Sequence, residues 1–314
     1  MKLVSYRDGD PLVGSAGIWR DEVVFDAGAL LKRDALSMLE LLQLGPTALD
    51  DLRAALTSAQ PDGPGTRPAV LRDLLSPVPN PPSVRDFYAF EQHVKAARAR
   101  RNVGMIPEWY QIPVFYFSNP AAIQGPEADV PYPNDSDELD FELEIACVIG
   151  QTGHDISADD ASRYIAGYLV MNDWSARDLQ REEMKMNLGP AKGKDFATSL
   201  GPWLVTPDEL DDRRIGSGAE ERYDLELIGR INGQEVSRGN FKDIYFPFPQ
   251  LIERAARHVT LKAGDVIGSG TVGTGCILEL GPENVPWLKA NDVLEMEIER
   301  LGVLRNRISE EANQ

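Results

Sequence analysis

Residues 139–150, LDFELEIACVIG, constrain this chain more than any other stretch. Read as a β-strand, they put Asp140, Glu142 and Glu144 on one face and Phe141, Leu143 and Ile145 on the other. Ala146, Cys147, Val148 and Ile149 follow at once, so the strand reads as buried rather than solvated. Carboxylates two residues apart lie roughly 6–7 Å apart along a strand, within reach of one cation. Like charges on an apolar strand are costly unless a proton or a metal neutralises them. A hard divalent cation is the simpler neutraliser, because it takes oxygen ligands and satisfies several lone pairs together. The competing reading is a half-exposed strand with an acidic solvent face.

With 314 residues the chain has length for one large domain or two smaller ones, and its net charge of −18 argues against nucleic acid or an anionic membrane as partner. Cys147 and Cys276 both sit in apolar runs and read as reduced core thiols. The N-terminal residues lack the apolar stretch of a secretory signal, and no run approaches the roughly 18 apolar residues of a membrane helix. The expectation is a cytoplasmic protein.

Prolines at 77, 79, 81 and 82 forbid helix across residues 76–83 and mark a joint. The reading is a small N-terminal α+β domain (1–76), a proline-rich linker (77–83) and a larger domain (84–314). Strands are expected at 2–6, 17–19 and 22–26, and helices at 34–44 and 48–59. Beyond the joint, 84–101 has helical composition, and 162–168 reads as a helix feeding a strand at 169–171. Asn232-Gly233 between two apolar runs is the strongest hairpin signal. A helix is expected at 249–258, and strands at 265–267, 276–280 and 293–300. Long helices alternating with parallel strands are absent, so the fold class is β-rich α+β rather than a doubly wound sheet. Gly268-Ser-Gly270-Thr-Val-Gly273 fits GxGxxG, but no βαβ unit surrounds it, and nicotinamide or flavin binding is rejected.

Three further stretches complete a constellation with the acidic strand. Asp86-Phe-Tyr88-Ala-Phe-Glu-Gln-His93 holds one of only three histidines, and His93 is a better general-base candidate than His154 or His258. In Asn172-Asp173-Trp-Ser-Ala-Arg177-Asp-Leu-Gln180, Asp173 falls where a strand gives way to a helix, and Arg177 and Gln180 share a helical face. Gly193-Lys194-Asp-Phe196 closes a glycine-rich loop presenting a lysine.

In this order the motifs DFYAFEQH, ExE, NDWSARDLQ, GKDF and GT…LEL resemble the fumarylacetoacetate hydrolase family, from about residue 84 to the C-terminal region. The resemblance implies a mixed β-roll, a divalent cation (Mg²⁺ foremost, with Mn²⁺ or Ca²⁺ as alternatives), a homodimer and a keto or diketo acid substrate. It implies Glu142, Glu144 and Asp173 as metal ligands with Asp86 as a fourth. His93 would be the general base, Glu279 its orienting carboxylate and Lys194 a catalytic donor. Tyr88, Tyr116, Arg177, Gln180 and Thr271 would hold the substrate. The segment after His93 looks shorter than in fumarylacetoacetase, which leaves open which arginine grips a substrate carboxylate.

These residue types suit cleavage of a C–C bond between two carbonyls: a cation to polarise oxygens, an imidazole to take a proton from water, and donors for an oxyanion. A decarboxylase, isomerase or dehydratase of the same family is the alternative, and a catalytically silent metal-stabilised binding protein is the alternative of another class. The intact His93 and Glu279 favour hydrolysis.

Overall fold

The computed structural model describes residues 1–8, 13–100 and 102–310. Its main sheet runs, in spatial order, Thr66–Pro68, Val23–Asp26, Ser15–Arg20, Lys2–Tyr6, Thr198–Val205, Ile165–Asp173, Leu143–Ile149, Val266–Gly268, Val84–Phe87 and Phe115–Ser118. Most neighbours are antiparallel, but Val266–Gly268 and Val84–Phe87 run parallel, so the sheet is mixed. A second sheet contains Gln234–Asn240, Glu226–Ile231, Val293–Ile298, Gly302–Ser309 and Asp129–Pro131. The result is the strand-rich α+β architecture expected.

The central strand Leu143–Ile149 is buried throughout because both faces are covered. Ile145, Cys147 and Ile149 point into one core with Phe241, Phe248 and Leu251. Ala146 and Val148 point into another, shared with Leu3, Ile18, Phe25 and Leu41. The two-residue period of a strand thus splits one apolar run between two cores. The N-terminal segment adds strands to the same sheet, Lys2 and Leu3 pairing with Val205 and Leu204. Ser76, Pro77 and Val78 at the proline-rich joint are buried, and Ser5 Oγ donates to the Pro77 carbonyl.

Local chemistry explains several boundaries. Ser37 and Glu40 form a reciprocal capping box at the start of helix Met38–Gln43. The Asn232-Gly233 turn has both residues at positive φ, 52° and 79°, as a two-residue hairpin requires, and it joins Glu226–Ile231 to Gln234–Asn240. Elsewhere tertiary pairing overrides composition. Residues 84–101 are not one helix: Val84–Phe87 is a strand beside Val266–Gly268, and the helix is Glu91–Arg100. Only Ala161–Tyr164 is helical, as a 3₁₀ turn, before the strand Ile165–Asp173. The expected strand at 276–280 is instead a helical turn, Ile277–Leu280. Among the described residues, no helix is long and apolar enough to cross a membrane.

Candidate active site

The acidic strand breaks at Phe141-Glu142, between Leu139–Asp140 and Leu143–Ile149. This corrects the alternation read from sequence, and Asp140 does not join the other two acids. Its carboxylate instead accepts from Arg177 Nε at 2.8 Å and from the backbone N–H groups of Ile277 and Leu278.

Glu142 and Glu144 remain together, and Asp86 and Asp173 come to them. One carboxylate oxygen from each of the four lies within 4.8 Å of the others, and all four residues are buried. Asp86 arrives from strand Val84–Phe87, and Asp173 ends strand Ile165–Asp173, in register with neighbours of Leu143–Ile149. Glycine makes room for the cluster: a Cβ on Gly268 would sit 2.5 Å from Asp86 Oδ1 and 2.9 Å from the Met171 sulfur. Asp86 Oδ1 also accepts from the Gly270 N–H, where φ is +78° and a Cβ would meet the Phe87 carbonyl at 2.4 Å.

The oxygens are unequally served. Glu142 Oε1 accepts from Arg177 Nη2 at 2.7 Å and its Oε2 from Lys194 Nζ at 2.7 Å. Lys194 Nζ also donates to Asp173 Oδ2 at 2.6 Å, an oxygen shared with the Tyr116 hydroxyl. Both Glu144 oxygens and Asp173 Oδ1 are buried with no donor. Burial pushes the Glu144 carboxyl well above its ordinary range, and the neighbouring Asp86, Glu142 and Asp173 add to the effect. Asp86 is raised by burial and then by Asp173. Burial also acts on Glu142, but Lys194 and Arg177 outweigh it and hold that carboxyl below its usual value. Counting Asp140, five buried carboxylates face two buried cations, Lys194 and Arg177, a formal charge of −3. Orphaned carboxylate oxygens in an all-oxygen donor set fit a hard divalent cation and do not fit structural zinc.

Beside this group, His93 on helix Glu91–Arg100 is joined through Nδ1 to Glu279 Oε1, and both side chains are buried. Glu279 Oε2 accepts from the Thr274 N–H at 2.9 Å, which fixes the carboxylate from its other side. With Nδ1 committed, Nε2 is the ring atom left for proton exchange. Tyr88 meets the imidazole edge-on, ring centroids 5.3 Å apart.

The expected substrate residues divide. Tyr88 and Tyr116 are half-buried beside the dyad and the carboxylates. Thr271 is buried immediately after Gly270. Arg177 is buried, and its Nε, Nη1 and Nη2 are bound to Asp140, Gln180 and Glu142, which also engages Gln180. Three guanidinium nitrogens of Arg177, expected at the substrate, thus have internal partners. Arg98 and Arg100 are turned to Gly104 and Glu283, and Arg101 lies outside the described residues. Sequence reasoning missed Asn172, whose Oδ1 accepts from the Glu142 N–H, and Cys276, 4.0 Å from Glu279 Oε1. Adjacency to Asp173 was the only signal for the first.

Known proteins share sequence and fold with this chain. A 2,4-didehydro-3-deoxy-L-rhamnonate hydrolase of Sphingomonas sp. (strain SKA58) is 35% identical over 201 residues, covering 63% of this chain and 65% of that protein. The mitochondrial oxaloacetate tautomerase FAHD2A of Bos taurus is 32% identical over 288 residues, covering 91% of this chain and 83% of its own. Fumarylacetoacetate hydrolase from Exiguobacterium antarcticum superposes with a TM-score of 0.74 at 26% identity, covering 98% of this chain and 99% of that one. The fold is shared with maleylpyruvate hydrolase from Sphingobium sp. SYK-6, solved with manganese and pyruvate (TM-score 0.71, 22% identity, 99% and 100% covered). The family model for the fumarylacetoacetate (FAA) hydrolase C-terminal region matches residues 83–309, a span that holds every residue of the site just described. The chain belongs to the fumarylacetoacetate hydrolase family, a family of enzymes that includes hydrolases, isomerases and oxaloacetate tautomerases.

Proposed function

We propose that the protein is a divalent-metal-dependent hydrolase cleaving a C–C bond in a diketo acid of the fumarylacetoacetate or acylpyruvate type. The observation that carries this reading is the buried His93–Glu279 pair placed beside four carboxylates, because hydrolysis needs a base for water. Asp86, Glu142, Glu144 and Asp173 would hold the cation, with Mg²⁺ the first choice and Mn²⁺ or Ca²⁺ able to substitute. When bound, it supplies charge stabilisation to the oxygens of the substrate.

His93 Nε2 takes a proton as the water oxygen adds to the acyl carbonyl. Glu279 holds the tautomer and stabilises the imidazolium. Lys194 spends two of its three donors on Glu142 and Asp173 and keeps the third for the oxyanion, while the Tyr116 hydroxyl donates to Asp173 and helps to hold it. The C–C bond then breaks, its electron pair leaves as an enolate, and the imidazolium returns a proton to that carbon. One water is consumed, and a carboxylic acid and a shortened keto acid are released.

The same reading assigns the chemistry to 84–314 and a supporting role to 1–76, since every candidate residue lies between Asp86 and Glu279. It places the protein in the cytoplasm, for which two buried unpaired thiols speak, and makes it a homodimer. The exposed apolar Val114 and Phe117 beside the sheet's edge suit a protein partner. Isomerisation or tautomerisation is the second reading, favoured by the likeness to oxaloacetate tautomerases over most of the chain.

A panel of diketo acids assayed for pyruvate or acetoacetate release, with Mg²⁺ and then with EDTA, tests the proposal. Metal-dependent release of both fragments is expected. Interconversion of keto and enol forms of oxaloacetate without cleavage of any substrate would hand the assignment to the second reading.

A further inference from the structure

Asp140 sits beside the site yet belongs to neither the carboxylate group nor the His93–Glu279 pair. It is fully buried, and all its hydrogen bonds point at elements that carry the site. Oδ1 accepts from the Ile277 N–H at 2.7 Å and from its own neighbour Phe141. Oδ2 accepts from the Leu278 N–H at 3.0 Å and from Arg177 Nε at 2.8 Å. Ile277 and Leu278 open the helical turn Ile277–Leu280, whose N-cap, Cys276, makes no side-chain cap. A four-residue turn has no intrinsic stability, and its first N–H groups need an outside acceptor. Asp140 supplies one from another part of the chain. That turn carries Glu279, whose carboxylate fixes His93 Nδ1.

The other arm runs through Arg177. With Nε held by Asp140, its Nη2 reaches Glu142 Oε1 at 2.7 Å and its Nη1 reaches Gln180 at 2.9 Å. A planar guanidinium pinned at Nε has little freedom left at Nη2. The orientation of Glu142 therefore depends on Asp140 as well.

We propose that Asp140 is a positioning residue that sets both halves of the site at once, the dyad through the turn Ile277–Leu280 and the metal carboxylate Glu142 through Arg177. The role of the dyad as base rests on the function proposed above, but the positioning itself is read without any reaction. In Asp140→Asn one oxygen becomes an N–H donor, which opposes either Leu278 N–H and Arg177 Nε together or Ile277 N–H and Phe141 N–H, and the charge that holds Arg177 is lost either way. Arg177→Lys removes the second arm alone and leaves the turn capped.

Two readouts on purified protein separate the arms. Mn²⁺ affinity is measured by electron paramagnetic resonance, and the hydrogen-bonded imidazole proton of His93 is followed by downfield ¹H NMR, assigned by its loss in Glu279→Gln. Asp140→Asn should weaken Mn²⁺ binding by about 10–100-fold, as lost supporting hydrogen bonds at metal ligands do, and should also shift or broaden the imidazole signal. Arg177→Lys should weaken Mn²⁺ similarly and leave that signal in place. If Asp140→Asn does not fold, Arg177→Lys still decides the metal arm, and Ile277→Pro, which deletes one N–H of the turn, decides the other by loss of the imidazole signal with Mn²⁺ binding kept. Wild-type Mn²⁺ affinity in Arg177→Lys, or an unchanged imidazole signal in both turn variants, overturns the proposal. Neither readout changes if the reaction proves to be isomerisation.

Discussion

Glu144→Gln gives a test of the metal site that needs no substrate. Both Glu144 oxygens are buried and lack a donor, and three other carboxylates face them. Without a cation, folding at neutral pH must either protonate Glu144 or bury its charge among three other acids, and an amide avoids that cost. Relief of one buried, unpaired group is worth about 1–3 kcal/mol. With about 2.1 cal/mol/K of unfolding entropy per residue, 314 residues give roughly 660 cal/mol/K, so each kcal/mol moves Tm by about 1.5 °C. In EDTA the variant should therefore melt about 2–4 °C above the wild type.

A saturating cation works in the opposite direction. At 100 times Kd, a ligand that binds only the folded state adds about 2.7 kcal/mol, or about 4 °C for this chain. If the lost oxygen lowers affinity 100-fold, the same Mg²⁺ concentration adds only about 0.4 kcal/mol to the variant, less than 1 °C. Differential scanning fluorimetry in EDTA and in excess Mg²⁺ reads both shifts. Equal gains for the two proteins, or a variant less stable in EDTA, would refute the argument that these oxygens wait for a cation.

Other substitutions probe the remaining parts. His93→Ala should lose about 10²–10⁴-fold in turnover of the best diketo acid while the Mg²⁺-induced rise in Tm stays, and Glu279→Gln should lose less because the imidazole remains. Gly268→Ala forces a Cβ to 2.5 Å from Asp86 Oδ1 and should cost about 1–3 kcal/mol by calorimetry, with a smaller Mg²⁺ shift than wild type. Asp178 accepts from Ser136 Oγ and from the Asp137 and Leu179 N–H groups; burial raises its carboxyl, but these bonds prevail and hold it below the usual range. A depressed carboxyl stabilises above its unfolded pKa and stops doing so as pH falls through the folded one, so Asp178→Asn should cost about 1 kcal/mol or less at neutral pH and progressively less as acid takes the pH down through the carboxylate range, by urea unfolding.

How far the site was legible follows from where its causes lie. The carboxylates were legible because charge on an apolar strand has few explanations, and Asp173 because a strand ending in an acid beside a helix start points into a cleft. The hairpin at Asn232-Gly233 was legible because its turn geometry is local. The alternation across Asp140, Glu142 and Glu144 failed because the strand breaks at Phe141-Glu142, and the acceptor demand of a distant turn takes Asp140 away. Residues 276–280 looked like a strand for the matching reason: nothing within Cys276–Leu280 caps a helix, and the cap comes from 137 residues earlier in the chain. The substrate role of Arg177 was what the family resemblance implied, whereas its internal partners Asp140 and Glu142 were not legible because they are fixed only by the fold.

The same distinction bears on the N-terminal segment. Its strands were legible from local composition, but their pairing with Thr198–Val205 is not, because no local rule selects a partner some 200 residues away. Leu3, Ile18 and Phe25 share a core with Ala146, Val148, Leu169 and Met171. Ala146 and Val148 lie on the strand that begins one residue after Glu142 and contains Glu144, and Met171 lies two residues before Asp173. Packing from the N-terminal strands thus backs the strands that aim the carboxylates. Leu3→Ala, in a fully buried position, should cost about 2–5 kcal/mol, roughly 3–7 °C in Tm at the scaling above. If its loss of stability came with an unchanged Mg²⁺-induced shift, the segment would be supporting the fold alone; a reduced shift would show that the core transmits its packing to the carboxylates.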